Sequence, residues 1–498
     1  MKNSAVEQFM SAFKHEGLTF DDVSLVPQYA DFQPDDADIS TLFSRNISLN
    51  IPFVSAAMDT VTQSDMAVAI ALLGGIGVIH KNQNAMDQAA HISQVKHFLH
   101  GMIPDPVVFQ EHQTIAEVLD EKKKNNYQFA GFPILDEEGK LKGILTARDI
   151  KFLTDYNRPV SEVMTSDIIV GQEGTTTEQA FNIMVDNNIG KLPITDNDGF
   201  LVGLYSFNDV KTIIKNIEPG YNRDEKHRLR AAAAVGPYDH DRINALVDVD
   251  ADALVVDTAH GHSKGVIETV KFIKEHYPQT EVVAGNIATA EAAEALLSAG
   301  ADALKVGIGP GSICTTRVVA GVGVPQLTAV HEVRKAVGDS VPIISDGGIT
   351  YSGDVAKALA VGADCVMMGS ALAGTEESPG ERILQQGRTY VVYRGMGSFD
   401  AMQQGQGSRE RYGQKETEDS NEIVPQGVEG LVPYRGSVND VIHQFVGGLK
   451  YSLGYNGTKK IIELQKHAKL TRISPASLHE AHPHSIKVLK DAPNYRSQ

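Results

Sequence analysis

Short apolar runs, each closed by polar or glycine residues, recur along this chain and limit its fold more than any other feature. Ile51 to Ala56 runs into Met58-Asp59-Thr60, and Gly75 to Ile79 ends at His80-Lys81-Asn82. Ala231 to Val235 ends at Gly236, Ala253 to Val256 at Asp257, and Val282 to Ala284 at Gly285-Asn286. Ala303 to Val306 ends at a glycine loop, Pro342 to Ser345 at Asp346-Gly347-Gly348, and Cys365 to Met368 at Gly369-Ser370. Helical patterns separate the runs. Ser64-Asp65 opens one that lasts to Leu73, a second reaches about Leu99, and Ala290 to Ala299 is the clearest. Alternating strands and helices imply a parallel sheet. Eight such units imply an α/β chain folded as a (β/α)8 barrel, whose active site forms at the strand C-termini.

The rhythm stops between the second helix and Ala231. Pro133, Gly139, Leu141, Gly143, Thr146 and Asp149 match Pro193, Gly199, Leu201, Gly203, Ser206 and Asp209 at one fixed offset. This is an internal duplication inserted into the barrel, each copy reading helix, strand, turn, strand, helix. Thr146/Asp149 and Ser206/Asp209 have N-cap spacing, and the same spacing suits hydrogen bonds to a ribose. The expected boundaries are 1–101 for the first part of the barrel and 102–217 for the insertion, with copies at about 102–156 and 160–217. The barrel resumes over 218–498. Tyr390 to Arg435 is rich in Gly, Gln, Ser and charge, and reads as a structureless lid, mobile over about 398–432. Val438 to Leu453 then reads as an amphipathic helix, with another to Gln465.

A net charge of −18 argues against a nucleic-acid partner. Two cysteines in 498 residues make no disulfide framework, which points to a reducing cytoplasm. Met1 to Thr19 lacks a signal-peptide core. The apolar run from Met66 to Ile79 is broken by glycines and is too short to span a bilayer.

Chemistry concentrates on Gly307-Ile308-Gly309-Pro310-Gly311-Ser312-Ile313-Cys314-Thr315-Thr316-Arg317. Glycines there let the backbone approach a ligand, and Ser312 with its flanking amides suits a phosphate. Cys314 is a candidate nucleophile; a small residue filling a turn is the alternative. Gly347-Gly348 and Gly369-Ser370 are further phosphate cradles after late strands. Asp257 and Asp346 either hold ribose hydroxyls or cap helices. Cys365, mid-strand, reads as a buried small apolar residue. The chain has no Rossmann fingerprint, P-loop or Ser/His/Asp motif, so a dinucleotide would bind on the barrel rim. The spacing of Leu478-His479-Glu480-Ala481-His482-Pro483-His484 is not that of a zinc site.

Gly309-Pro310-Gly311-Ser312-Ile313-Cys314-Thr315-Thr316 resembles the active-site loop of the inosine-5′-monophosphate (IMP) dehydrogenase / GMP reductase family. So do Ser345-Asp346-Gly347-Gly348-Ile349, Met368-Gly369-Ser370, Tyr393-Arg394-Gly395-Met396-Gly397-Ser398 and the pair Arg411-Tyr412. The duplicated insertion resembles a tandem pair of CBS domains (a Bateman domain). The resemblance covers nearly the whole chain, in family order. It implies NAD-dependent oxidation of IMP to xanthosine 5′-monophosphate, in guanine nucleotide biosynthesis. Cys314 would attack C2 of IMP, hydride would pass to NAD, and a covalent thioimidate would result. The lid would then replace NADH, and Arg411 would act as base toward water, helped by Tyr412 and Thr316.

By the same resemblance, Ser312, Gly347, Gly348, Gly369, Ser370 and Tyr393 would hold the phosphate, and Asp346 the ribose. Met58, Met396, Gly397 and Gln426 would border the base. Asp257, Asn286, Gly307 and Gly309 would serve NAD. Carbonyls of Gly309, Gly311 and Cys314 would bind K+, completed by Glu480, Ala481 and His482 of a neighbouring subunit. Ala56 stands where some members have serine, and Gln426 where others have glutamate. The family implies a homotetramer, stacking to an octamer through the CBS pair, with a purine nucleotide as the ligand class at that pair. Two rivals remain. One is the reductase branch, which uses NADPH and on this reading lacks both the insertion and the Arg-Tyr lid. The other is a nucleotide sensor with a dead barrel, against which the intact Cys314, Arg411 and Tyr412 argue.

Overall fold

The computed structural model describes residues 4–14, 16–98, 102–103, 106–124, 131–214, 220–414, 419–489 and 492–495. Residues 415–418 of the expected lid, and the expected helix end at Leu99, lie outside them. Two compact units form, one of residues 1–96, 220–224 and 229–498, the other of 97–219 and 225–228.

The first unit is built on a closed eight-stranded parallel barrel. Its strands are Phe53–Ser55 (β1), Ile76–Ile79 (β2), Ala231–Val235 (β3), Ala253–Asp257 (β4), Glu281–Ile287 (β5), Ala303–Val306 (β6), Ile343–Asp346 (β7) and Cys365–Met368 (β8). Each pairs with the next, and Met368 opposite Ser55 closes the ring. The period of two sorts side chains to the two faces. Val54, Ile76, Val78, Ala232, Ala234, Ala253, Val255, Val283, Ala303, Ile344, Cys365 and Met367 fill the interior. The alternate residues, among them Phe53, Ala233, Leu254, Val256, Leu304, Ile343 and Val366, pack in a second cluster with the surrounding helices. Cys365 is fully buried and burial pushes its thiol well up, so it is an inert filler.

This parity has a chemical consequence. Counting in steps of two from Ala303 reaches Lys305, from Val255 reaches Asp257, and from Ile344 reaches Asp346. All three polar residues therefore turn inward at the C-terminal rim, above the apolar filling.

The stretch expected to be structureless is not. Arg382–Gln385, Arg388–Arg394 and Glu429–Pro433 form a three-stranded antiparallel sheet. Between its last two strands lie helices Phe399–Gln404 and Gln406–Arg411. The composition misleads because this sheet exposes much of its surface, so its strands carry few apolar residues.

The second unit repeats itself in three dimensions. Pro133 pairs with Ile144 in one hairpin and Pro193 with Leu204 in the other, each with a bulge near the turn. Asp136 Oδ1 accepts the Glu138 and Lys140 N–H groups, and Asp196 Oδ1 those of Asp198 and Phe200. Each half has its own small core, around Phe109, Ile115 and Phe132 or around Ala180, Met184 and Leu192. Thr146 and Asp149 form a reciprocal capping box, which supports the cap reading of that spacing. Among the described residues, no helix is long and apolar enough to cross a membrane.

Candidate active site

A cavity of about 300 Å³ opens at the C-terminal rim of the barrel. It is within the size range of small-ligand sites. Cys314 reaches it from the loop after β6 and is partly exposed. This loop is stitched to the sheet segments beside it. Thr315 N–H donates to the Gln426 carbonyl at 3.1 Å, Val428 N–H to Ile313 at 2.9 Å, and Gln426 N–H to Gly397 at 2.8 Å. The Cys314 thiol donates to Thr316 Oγ1 at 3.2 Å. Arg317 ties the loop base, its Nε donating to the Ile308 carbonyl and Nη2 to that of Val324. Gly307 has φ +150, and a Cβ there would collide with the Asp346 carbonyl. Only glycine lets β6 and β7 meet so closely at the cavity floor.

Ser312, Gly347, Gly348, Gly369, Ser370 and Tyr393 line the cavity. Burial first, and the Asp346 charge second, push the Tyr393 phenol well up, so it stays a hydroxyl donor. Met58, Met396 and Gln426 line it as well, with Met58 Sδ 3.9 Å from the Tyr393 hydroxyl. A charged cluster also lines the cavity. Lys305 Nζ donates to Asp257 Oδ1 at 2.8 Å, to Asp346 Oδ2 at 2.8 Å, and to Asn286 Oδ1. Asn286 Nδ2 donates to Asp346 at 2.8 Å and to the Gly307 carbonyl at 2.7 Å. Arg411, the last residue of the helix Gln406–Arg411, forms an ion pair with the other oxygen of Asp257. Tyr412 packs over Gly397, and burial raises its phenol against the opposing pull of Arg411.

The structure thus brings together Cys314, Arg411, Tyr412, Met58, Ser312, Asp346, Gly347, Gly348, Gly369, Ser370, Tyr393, Met396, Gln426, Asp257, Asn286, Gly307, Gly309 and Gly311 on one cavity. Thr316 and Gly397 lie just behind that wall, touching Cys314 and Tyr412. Glu480, Ala481 and His482 do not line it. They end the helix Pro475–Ala481, where His482 Nδ1 meets the Tyr495 hydroxyl at 3.0 Å. Among the described residues, no cluster of three or more His, Cys, Asp or Glu side chains could hold a metal ion. Sequence reasoning missed Lys305, which was counted within an apolar run. The signal was available: a lysine at an inward position of a barrel strand has nowhere to go but the rim chemistry.

A family model described as IMP dehydrogenase / GMP reductase domain matches residues 17–484. Inosine-5′-monophosphate dehydrogenase of Aquifex aeolicus is 51% identical over 486 residues, which is 96% of this chain and 98% of that protein. The protein of the same name from Halalkalibacterium halodurans is 48% identical, covering 97% of this chain and 99% of its own length. Among solved structures, a cysteine-to-alanine variant of GMP reductase from Trypanosoma brucei, in complex with guanosine 5′-monophosphate, superposes with a TM-score of 0.87 at 37% identity. It covers 96% of this chain and 100% of its own. That coverage corrects one expectation: a reductase can span a chain of this length, insertion included, so the insertion does not separate the two branches.

Proposed function

The chain belongs to the IMP dehydrogenase / GMP reductase family, and it is an oxidoreductase that oxidises IMP with NAD in guanine nucleotide biosynthesis; we propose here how its own residues do so. The observation that carries the mechanism is the shared cavity of Cys314 and Arg411, one on the barrel and one on the lid. IMP lies with its phosphate among Ser312, Gly347, Gly348, Gly369, Ser370 and Tyr393, and its ribose at Asp346. Its base lies among Met58, Met396, Gly397 and Gln426. The Cys314 thiolate adds to C2, and the hydrogen on C2 departs as hydride. NAD, when bound, supplies the acceptor for that hydride.

Asp257 and Asn286 fit the nicotinamide end, with Gly307 and Gly309 leaving room for close approach. Asn286 has spent both amide N–H groups and keeps one lone pair on Oδ1, while Asp257 uses one oxygen for Lys305 and the other for Arg411. Withdrawal of the lid therefore frees one carboxylate oxygen for an amide N–H. Lid and dinucleotide compete for that oxygen, which orders the two half-reactions. With the lid home, Arg411 serves as base in its neutral guanidine form, released from Asp257: it takes a proton from water, and the water oxygen bonds to C2. The C2–Sγ bond then breaks, releasing xanthosine monophosphate and the thiolate. Thr316, already in contact with Sγ, and Tyr412, protonated through burial, relay and orient.

Backbone carbonyls of Gly309, Gly311 and Cys314 are hard oxygen donors suited to K+. Gly311 keeps a lone pair beyond the one that accepts Cys314 N–H. Glu480, Ala481 and His482 of a second copy would complete the site, which fits their place away from this chain's own cavity. The insertion acts as a CBS pair, binding a purine nucleotide and stacking tetramers into octamers.

NADH absorbance after mixing IMP and NAD tests the reading. NADH must form, rise with K+, and disappear in Cys314→Ala; a well-folded wild type without NADH production overturns it. Steric crowding at the phosphate end gives a second expectation. A Cβ on Gly369 would stand 2.8 Å from Tyr393 Oη and 3.0 Å from Met58 Sδ. Gly369→Ala should weaken IMP binding by roughly 10-fold, with an unchanged unfolding midpoint, in a calorimetric titration.

A further inference from the structure

The lid is held down by more than the Arg411–Asp257 pair. Its helices Phe399–Gln404 and Gln406–Arg411 dock on His80-Lys81-Asn82, the tip of β2, none of which lines the cavity. Asn82 Oδ1 accepts Ser408 N–H at 3.1 Å, while its Nδ2 donates to the Ala401 carbonyl at 3.2 Å and to Asp59 at 2.8 Å. A Cβ on Gly405 would collide with the Asn82 side chain, and one on Gly407 with the Lys81 carbonyl. The two surfaces are therefore fitted to each other through glycines.

Lys81 itself is the unusual member. Its side chain is buried, and among the described residues its ammonium has no hydrogen-bond partner. The nearest anion is Glu410 Oε2, at 3.7 Å. Glu410 immediately precedes Arg411 and is itself wedged against Gly236 at the tip of β3. The other charged groups facing Lys81 are Arg411, Arg242 and Asp239. Arg242 is already bound to Asp239, Gln88 and the Gln83 carbonyl, so that pair answers its own charges. Burial draws Lys81 down to about 8 against the attraction of Glu410, leaving it mostly charged at neutral pH.

We infer that Lys81 is a positioning residue for the hydrolytic half-reaction: paired with Glu410, it latches the closed lid and so places Arg411 over the barrel mouth. This rests on the reaction proposed above. A buried charge that loses its partner is costly, so breaking the pair must shift the lid toward open. Two kinetic changes of opposite sense follow. Hydrolysis, which needs the closed lid, slows. The dinucleotide, which competes with the lid for Asp257, binds more tightly in apparent terms because less closed state must be displaced.

The test uses the full chain, with Lys81→Met, Lys81→Arg, Glu410→Gln and the double variant Lys81→Met/Glu410→Gln. Rapid mixing with IMP and NAD should give a burst of one NADH per site at the wild-type rate. Steady-state turnover should then be slower by roughly 10- to 100-fold in Lys81→Met, with a lower KM for NAD. Lys81→Arg should recover most of the turnover, and the double variant should be no worse than the worse single. Amide exchange over 399–411 should quicken in Glu410→Gln, whose substitution lies on the lid and spares the barrel. Wild-type exchange and turnover in Glu410→Gln would overturn the latch, as would a rise in the KM for NAD in Lys81→Met. The exchange measurement needs no catalysis. A wild type without an NADH burst would thus refute the reaction and leave the latch to be judged on exchange alone.

Discussion

Arg411→Ala will release about one NADH per active site and then all but stop. Burst size and rate should match wild type, because the Cys314–Thr316 contact and the cavity floor do not involve the lid. Turnover should fall by roughly 10³-fold, the scale of a lost general base. The protein should accumulate as the covalent adduct on Cys314, heavier by IMP less two hydrogens in intact-protein mass spectrometry. The result that would sink the assignment is equal loss of burst and turnover, which would place Arg411 in hydride transfer. The structure supports the separation. Arg411 occupies the Asp257 oxygen proposed above for the dinucleotide, and on that proposal it cannot assist while the dinucleotide is there.

Lys305→Met carries the second large effect, this time on binding and stability together. The ammonium answers two carboxylates and an amide in the most enclosed part of the rim. Its removal leaves Asp346 with the Asn286 amide and Asp257 with Arg411, each carboxylate having lost its shared buried cation. Breaking a buried ion pair from one side costs roughly 3–5 kcal/mol. Unfolding midpoints should drop clearly. IMP affinity by titration should fall by roughly 100-fold, since Asp346, proposed above to hold the ribose, loses its anchor. Lys305→Arg, which keeps the charge, should restore the midpoint more fully than the affinity. A stable Lys305→Met with wild-type affinity would show that the carboxylates need no shared cation.

How far these sites could be read from the chain varies with the kind of signal. The barrel was legible because each strand is both apolar and terminated, and the insertion because six residues recur at one fixed offset. Cys314 stood out through its loop, and the glycines through their need for unusual backbone. Lys305 was hidden for the opposite reason: one charge in a four-residue strand looks like noise until the inward parity of Ala303 is known. The strands flanking the lid were hidden because an exposed antiparallel sheet needs few apolar residues. The docking role of Lys81 and Asn82 was invisible, since their partners are more than 300 residues away. Nothing local marks a strand tip as the seat of a distant helix.

The place of the insertion also bears on how the molecule is made. β2 and β3 are neighbours in the barrel, with Ala232 opposite Val78, yet the whole second unit is encoded between them. At ~5–20 residues per second, translation of those 97–219 residues takes roughly 6–25 s. Throughout that interval the ribosome has delivered β1 and β2 but not the strands that cover their edges. Phe53, Val54, Ile76 and Val78 are fully buried in the finished protein and have no barrel to enter until then. The duplicated unit, with its two separate cores, can fold while they wait. Nascent chains stalled within it should therefore be the ones that chaperones hold longest.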